Sequence, residues 1–596
     1  MDMARIMKDE SNIVNIPSNV SVNAKGYVYI NTSSSWVNKV NGSGKHADHE
    51  KVCIGKVLVP GGDWKSDRRM YANVSYYRMY PSDNSSSKKN RAVYDEYPIR
   101  SDCLSIGLYA GLKKLAVESG LMDILTEVFG SENTWLIMDL AMYMISSESA
   151  VFQHFPHWAG SSAIFSETMR SDSYISQFEK EDISLSSINL FKKKWARTVL
   201  DDGRIFVCYD STNVNSQAEG VFIVEKGHAK DDAEKDQINT EYAIRQKDGM
   251  PITYKDYPGS INDMAEASDM ILFFRELLDG ENVADIVMIA DRGYVSEDNI
   301  LELRKAGIGY ILLLKKNMNI MSEILDEYVT LVKKPSNYMK DTGKFAMTVH
   351  RKLFGDDIDD SWFHIVWDAN LEISHRFLLM NEIDSKEKKL QKAKERKTHF
   401  TEEDLKPYRL YFSINCHEDG TLKINQRGRG AGKKKEVCAY VIDSFERNED
   451  NIEKENSKCG YLVYVTDQEM TAEEVMEAVS KRDCVEKAFR ALKSWMGMDK
   501  YGVHFESSMH AKSLIWFVSS ILHSLLFART EKIRSKDKKR GTLPAIIDQL
   551  EEIRADRNLE TGKYERRYRP TKLQKTYLGM LSVSIEEIDE IIADIS

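Results

Sequence analysis

Two aspartates, Asp210 and Asp291, each follow a short apolar run, RIFVCY (Arg204 to Tyr209) and DIVMIA (Asp285 to Ala290). Runs of that length and composition read as buried strands. The carboxyl ends of such strands in an α/β sheet form a binding crevice, where side chains far apart in sequence converge. A third acid comes from the segment KRDCVEKAFRALK, which reads as a helix. At about 100° per residue, its Arg482, Glu486 and Lys493 fall within about 40° of one another, on one face. Carboxylates suit hard Mg²⁺ or Mn²⁺, while Arg and Lys hold phosphate oxygens. Three acids beside two cations are the apparatus of two-metal phosphodiester chemistry. Arg292, adjacent to the second Asp, is a further candidate phosphate contact. Each piece alone has an ordinary reading. An Asp after a strand is commonly a turn or cap residue, and Glu486 beside Lys487 and Arg490 could be a surface ion pair. The order and spacing of all three acids are more specific than any one of them.

The elements that must position these residues alternate in character. Residues 27–80 read as short strands, with aromatic and β-branched residues alternating with polar ones. Between Lys25 and Arg91, twelve Lys and Arg face five Asp and Glu, a local +7 that suits a DNA-contacting module as well as a solvated β module. From about Ile106 to Lys194 apolar residues recur at helical spacing. After Arg204, strands alternate with helices, which implies an α/β sheet. From 317 to 458 the pattern is strand-rich again, in KFAMTVHRKLF, SWFHIVWD, YRLYFSIN and CAYVIDSF. The charged stretch Asp384 to Thr398 interrupts it and reads as an exposed helix or arm. Thr471-Ala-Glu-Glu474 has the form of a capping box at the head of a helix.

The three acidic blocks resemble those of DDE transposases of the insertion-sequence-4 superfamily, in its insertion-sequence-1634-like branch. They are CYDSTNVN with Asp210, GMPITYKDYPGSINDMAEASDM running on to IADRGY with Asp291, and AVSKRDCVEKAFRALK with Glu486. The last matches the family's Y-(2)-R-(3)-E-(6)-K signature at Arg482, Glu486 and Lys493. GHAKDDAEKDQIN, after the first Asp, is also similar to the family's segment there. One position departs: the family's Tyr falls on Val479. The resemblance implies an RNase H-like core interrupted by a strand-rich insertion between Asp291 and Glu486. It implies Asp210, Asp291 and Glu486 as catalytic residues and as ligands of two Mg²⁺ or Mn²⁺ ions. Arg482 and Lys493, with Arg292, would contact the DNA backbone. The activity implied is cut-and-paste cleavage and strand transfer at the element's terminal inverted repeats and in target DNA, by a homodimer.

The expected architecture is therefore a multidomain α+β chain. Its parts are a β-rich N-terminal module (1–100), a helical region (101–198), a first core segment (199–316), the strand-rich insertion (317–458), a second core segment (459–530) and a tail (531–596). The chain has 596 residues and a formal charge of −10, so any DNA contact must come from local basic patches. Its seven cysteines include no C-x-x-C pair, which fits a reducing interior and no structural zinc. No signal-peptide layout opens the chain, and Ser513 to Ala528 is too short an apolar run to span a bilayer. A cytoplasmic, nucleoid-associated protein without membrane contact is expected. RGRGAGKKK (Arg427 to Lys435) fails as a phosphate-binding loop, because Arg427 and Lys434 stand where Gly and Ser or Thr are required. His228 lacks a second ligand at metal spacing. The rival readings are an RNase H-like nuclease or resolvase and a descendant that only binds DNA.

Overall fold

The computed structural model describes residues 13–18, 20–38, 45–80, 100–200, 203–218, 220–227, 236–261, 263–278, 285–354, 361–425, 434–535 and 541–595. His228 and the Arg427–Lys433 part of the basic turn lie outside them. The first five strands are β1 (Ile13–Asn15), β2 (Val20–Val22), β3 (Tyr27–Asn38), β4 (Lys45–Val57) and β5 (Arg69–Ala72). They form an antiparallel sheet in the order β1-β5-β4-β3-β2. This sheet has a core of its own, built on Val28, Ile54, Met70 and Tyr76. Trp64 packs against that core.

A ten-stranded sheet organises the middle of the chain. Its strands are β7 (Arg204–Asn215), β8 (Glu225–Lys226), β9 (Asp236–Arg245), β10 (Met250–Pro258), β11 (Asp285–Ala290), β12 (Gly309–Leu313), β13 (Tyr338–Met339), β14 (Lys344–Arg351), β15 (Ser361–Trp367) and β18 (Tyr461–Thr466); β6 (Cys103–Ser105) belongs elsewhere. The order is β10-β9-β7-β11-β12-β18-β15-β14-β13, with β8 on β9. β7, β11 and β12 run parallel and the other pairs are antiparallel. The parallel strands are apolar and buried where they lie abreast, at Val207 to Tyr209, Ile286 to Ala290 and Gly309 to Leu312, as strands covered on both faces require.

The region from 317 to 458 differs from a self-contained strand-rich insertion. Its first strands, β13 to β15, extend the central sheet itself. Only β16 (Phe412–Asn425) and β17 (Lys434–Arg447) pair as a separate hairpin. Between them and β15 lies a 28-residue helix, Ala369–Arg396, which contains most of the charged stretch. Ile383 and Leu390 of that helix pack with Phe412 and Ile442 of the hairpin in a small second core.

The helical region and the tail share one core with the central sheet. Cys103–Ser105 (β6) pairs with β19 (Arg554–Arg557), which pairs with β20 (Tyr564–Arg566), so the tail is stitched to the start of the helical region. The helix Glu506–Arg529 runs through this core. It is long and apolar enough to cross a membrane by composition, yet 83% of its apolar window is buried against the rest of the protein. Most of its residues from Met509 to Leu526 are buried, against the helices Ser131–Ser147 and Asp172–Glu181 and against β10.

Candidate active site

Ala290 of β11 lies opposite Tyr209 of β7 in parallel register. Each Asp is the next residue, so Asp210 and Asp291 stand abreast on neighbouring strands, on the same side of the sheet. β7 continues past Asp210, whereas β11 stops: Asp291 is extended (φ −76°, ψ 167°) and caps a short turn, Arg292–Tyr294. Buried Tyr294 and Val295 anchor that turn, with the Tyr294 ring 4.9 Å from that of Tyr209 on the opposite face. The backbone N–H of the following residue donates to each carboxylate, Ser211 to Asp210 at 2.9 Å and Arg292 to Asp291 at 2.7 Å. These bonds fix one oxygen of each acid.

The helix Asp483–Trp495 docks on β7 from the side that carries Cys208 and Asp210. Val485, Phe489 and Leu492 are its buried face, at the i, i+4, i+7 spacing that an amphipathic helix requires. The Cys208 and Cys484 thiols hydrogen-bond across the junction, and this contact raises the Cys208 thiol and lowers that of Cys484. Ahead of it, Thr471 and Glu474 form a full capping box on the helix Ala472–Ser480, as their spacing predicts. Arg482 then lies at the junction of the two helices and sends its Nη2 to Asp210 Oδ2, 3.1 Å away. Its Nε is buried and has no hydrogen-bond partner.

The other expected residues are more dispersed. Glu486 is one helical turn beyond Arg482, about 6 Å along the axis, and exposed. The surface ion pair that its neighbours suggested does not involve it, since Lys487 pairs with Asp483 instead, at 2.6 Å. Lys493 is half-buried, three turns from Arg482 and about 16 Å along the axis. Arg292 is exposed beside Asp291. Among the described residues no three His, Cys, Asp or Glu side chains come together as a group that could hold a metal ion. The structure thus sets Asp210 and Asp291 side by side with Arg482 on Asp210, and among the described residues these acids and Glu486 form no three-ligand group. Arg482 occupies one oxygen of Asp210, so a cation shared by the two aspartates would use their remaining oxygens.

One residue of this site is not visible in sequence. Leu312 of β12 lies opposite Ala290, and Leu313 opposite Tyr464 of β18. Tyr464 therefore continues the row Asp210, Asp291, Leu313 across the sheet. Burial pushes its phenol up to about 12, with the Asp291 carboxylate adding to the rise and the Arg482 guanidinium opposing it. Nothing in YLVYVT distinguishes this Tyr from an ordinary strand aromatic. Behind the row, on the opposite face, the Tyr209 hydroxyl donates to the fully buried Glu241 carboxylate.

A family model described as the transposase DDE domain matches residues 201–522, more than half of the chain. The matched stretch contains Asp210, Asp291 and the whole helix Asp483–Trp495. No curated protein matches the sequence. Among solved structures, the chain is similar to the cryo-EM structure of a piggyBac transposase synaptic complex with hairpin DNA, at 8% identity and a TM-score of 0.31, over 81% of this chain and 76% of that one. A likeness that weak carries no argument about this protein. The family match does, and the chain belongs to the transposase DDE domain family.

Proposed function

We propose that this protein cleaves and rejoins DNA at the terminal inverted repeats of its own element, by a cut-and-paste route with a homodimer holding the two ends. The observation that carries this reading is the pairing of Asp210 and Asp291 at adjoining parallel strands, with Arg482 bound to Asp210, inside the stretch that the family model matches. The mixed sheet around β7, β11 and β12 is in keeping with the RNase H-like core that the sequence motifs imply. Asp210, Asp291 and Glu486 are the carboxylates that would hold Mg²⁺ or Mn²⁺, two ions per site, and the ions would supply the activation of a water for hydrolysis. Arg482, whose guanidinium already holds Asp210, orients a phosphate beside the acids. Lys493 and Arg292 would contact the DNA backbone; such contacts set register and carry no sequence information.

Glu486 is exposed and completes no three-ligand group with the two aspartates among the described residues, so it is the residue to test. Linear DNA carrying the repeats that flank the gene is incubated with Mg²⁺ or Mn²⁺ and either the parent protein or Glu486→Gln. The expected result is metal-dependent nicking at the repeat boundary that falls by at least about a hundredfold in the variant, roughly 2.7 kcal/mol of transition-state stabilisation. Cleavage that survives the substitution would move the third ligand to another residue. Specific binding without cleavage by the parent would favour a descendant that only binds DNA, and cleavage of branched DNA without regard to the repeats a resolvase.

A further inference from the structure

The helix Ala369–Arg396 buries Ile383, Leu390 and Ala393, and its last turns pack on the β16–β17 hairpin. Residues 385–397 hold seven Lys or Arg against two Glu, a local +5 on a chain of −10. At about 100° per residue, Ser385, Lys388, Lys389, Lys392 and Arg396 share the side away from the buried stripe, and no acid falls among them. All four cations are exposed.

A charged stretch on a helix is ordinarily a solvated face, in which opposite charges alternate and pair at i, i+4. The acids of this segment follow that rule and are used up by it. Glu382 holds Lys386 at 2.7 Å, Asp384 holds Arg447 of the hairpin at 2.7 Å, Glu387 holds the same Arg447, and Glu395 accepts from Gln391 at 2.9 Å. The cationic stripe breaks the rule. Lys388, Lys392 and Arg396 stand at i, i+4 and i+8, so each meets a like charge one turn away, a spacing that weakens a helix. Among the described residues none of the four cations has an ion-pair partner. From Lys388 to Arg396 the stripe runs about 12 Å along the axis. One strand of duplex DNA presents a phosphate about every 3.4 Å, so the four cations match a similar number of phosphates. A helix that lies on a membrane needs apolar and basic residues outward on the same turns. Here the apolar residues of those turns, Leu390 and Ala393, are buried.

We propose that this stripe binds the phosphate backbone of duplex DNA, without regard to sequence and as a contact separate from the acid pair. That the polyanion is DNA rests on the transposase reading; the charge and exposure of the stripe do not.

The full-length parent, the triple variant Lys388→Gln/Lys392→Gln/Arg396→Gln and the charge-keeping Lys388→Arg/Lys392→Arg/Arg396→Lys are titrated onto duplex DNA with and without the terminal repeats, between about 50 and 200 mM salt. The slope of log affinity on log salt is expected to shrink by about 2.7 in the Gln variant, equally for both duplexes, and to stay within about 0.5 of the parent in the charge-keeping one. Gln is a good helix former and removes the repulsion, so the thermal midpoint of the Gln variant is expected to hold or rise, which separates lost binding from lost folding. An unchanged slope in the Gln variant, or an equal loss in the charge-keeping one, overturns the proposal. A Gln variant that keeps its DNA slope but no longer sediments with vesicles of phosphatidylcholine and phosphatidylserine assigns the stripe to a membrane and overturns it as well. Cleavage of repeat-bearing DNA by the parent is scored separately. Without cleavage the transposase reading fails, while a reduced slope still establishes the stripe; with cleavage and an unchanged slope, the reading stands and the stripe falls.

Discussion

Asp210 and Asp291 show how little local chemistry is needed to prepare an acid pair: one backbone N–H each, and a strand register that sets them side by side. Buried groups elsewhere carry pH information of a different kind. His523, in the helix Glu506–Arg529, is buried beside Trp495, with ring centroids 5.7 Å apart. Burial, assisted by Arg534, lowers its imidazole to about 4, and its Nε2 has no hydrogen-bond partner. The folded state therefore keeps His523 neutral at pH values where the unfolded chain, near 6.5, takes up a proton. Stability from this group is full above pH 6.5 and is lost as pH falls towards 4, at up to about 1.4 kcal/mol per pH unit. His523→Leu removes the titration without orphaning a partner. Urea denaturation of both proteins from pH 7.5 to 4 is expected to give a difference that shifts in favour of the variant below pH 6.5. A difference that stays flat would mean that His523 is not held neutral. The legibility of single residues follows the same division. Asp210 and Asp291 could be read because an apolar run ending in Asp is a local pattern, and Arg482 because helical spacing ties it to Glu486. Tyr464 could not, because its place beside them is created by three strand registers that span more than 250 residues. The link between Arg482 and Asp210 bridges 272 positions and leaves no local trace either.

At the scale of elements, the junction between the helices Ala472–Ser480 and Asp483–Trp495 does most to aim Arg482. The first of these is secured by its capping box, in which Thr471 Oγ1 accepts from the Glu474 N–H at 3.2 Å and Glu474 Oε2 accepts from the Thr471 N–H at 2.7 Å. Thr471→Ala removes half of that exchange and is expected to cost about 1 kcal/mol, measured as a lower urea midpoint with an unchanged slope. A change below about 0.3 kcal/mol would show that packing of Val475 and Met476 alone secures the helix. The box could be read from sequence because capping is local. The region from 317 to 458 was legible to a lesser degree for the converse reason. Its strands carry aromatic and β-branched residues and form as their composition predicts, but composition cannot say which sheet a strand joins. β15 finds its partner in β18, about 100 residues further on, and with β14 and β13 paired in turn beyond it enlarges the central sheet. In the same way, the stretch DSKEKKLQKAKERKT is polar enough to read as an exposed helix or arm; most of it is helix, and Leu390, with Ile383 just ahead of it, holds that helix against the hairpin.

At the scale of the whole molecule, the helical region and the tail are one packed body, and two glycines allow that claim to be tested by magnitude. Gly107 opens the helix Gly107–Glu118 directly against the tail. A Cβ there would lie 2.3 Å from the carbonyl oxygen of Leu550 and 2.8 Å from the Ile553 side chain. Gly579 is in the tail helix Lys572–Met580, is exposed, and a Cβ there would meet nothing within 4 Å. Ala is favoured over Gly in a helix by up to about 1 kcal/mol, so helix propensity alone predicts that both Gly→Ala variants stabilise the protein. Sterics reverse the sign at only one of them. The obstacle at Gly107 is backbone, which cannot rotate aside, and overpacking of that kind costs about 1–3 kcal/mol, enough to outweigh the propensity gain. Gly107→Ala is therefore expected to lower the urea midpoint, and Gly579→Ala to raise it slightly. The comparison is sensitive to the architecture as well as to the residue. If the tail were a loosely attached extension, Leu550 would give way and Gly107→Ala would stabilise the protein as Gly579→Ala does. With Ile546, Leu550, Ile553 and Ala555 all buried in the core that also takes Leu108, Leu112 and the helix Glu506–Arg529, the carbonyl has nowhere to go. The loss at Gly107 then measures how firmly the tail braces the helices behind the catalytic sheet.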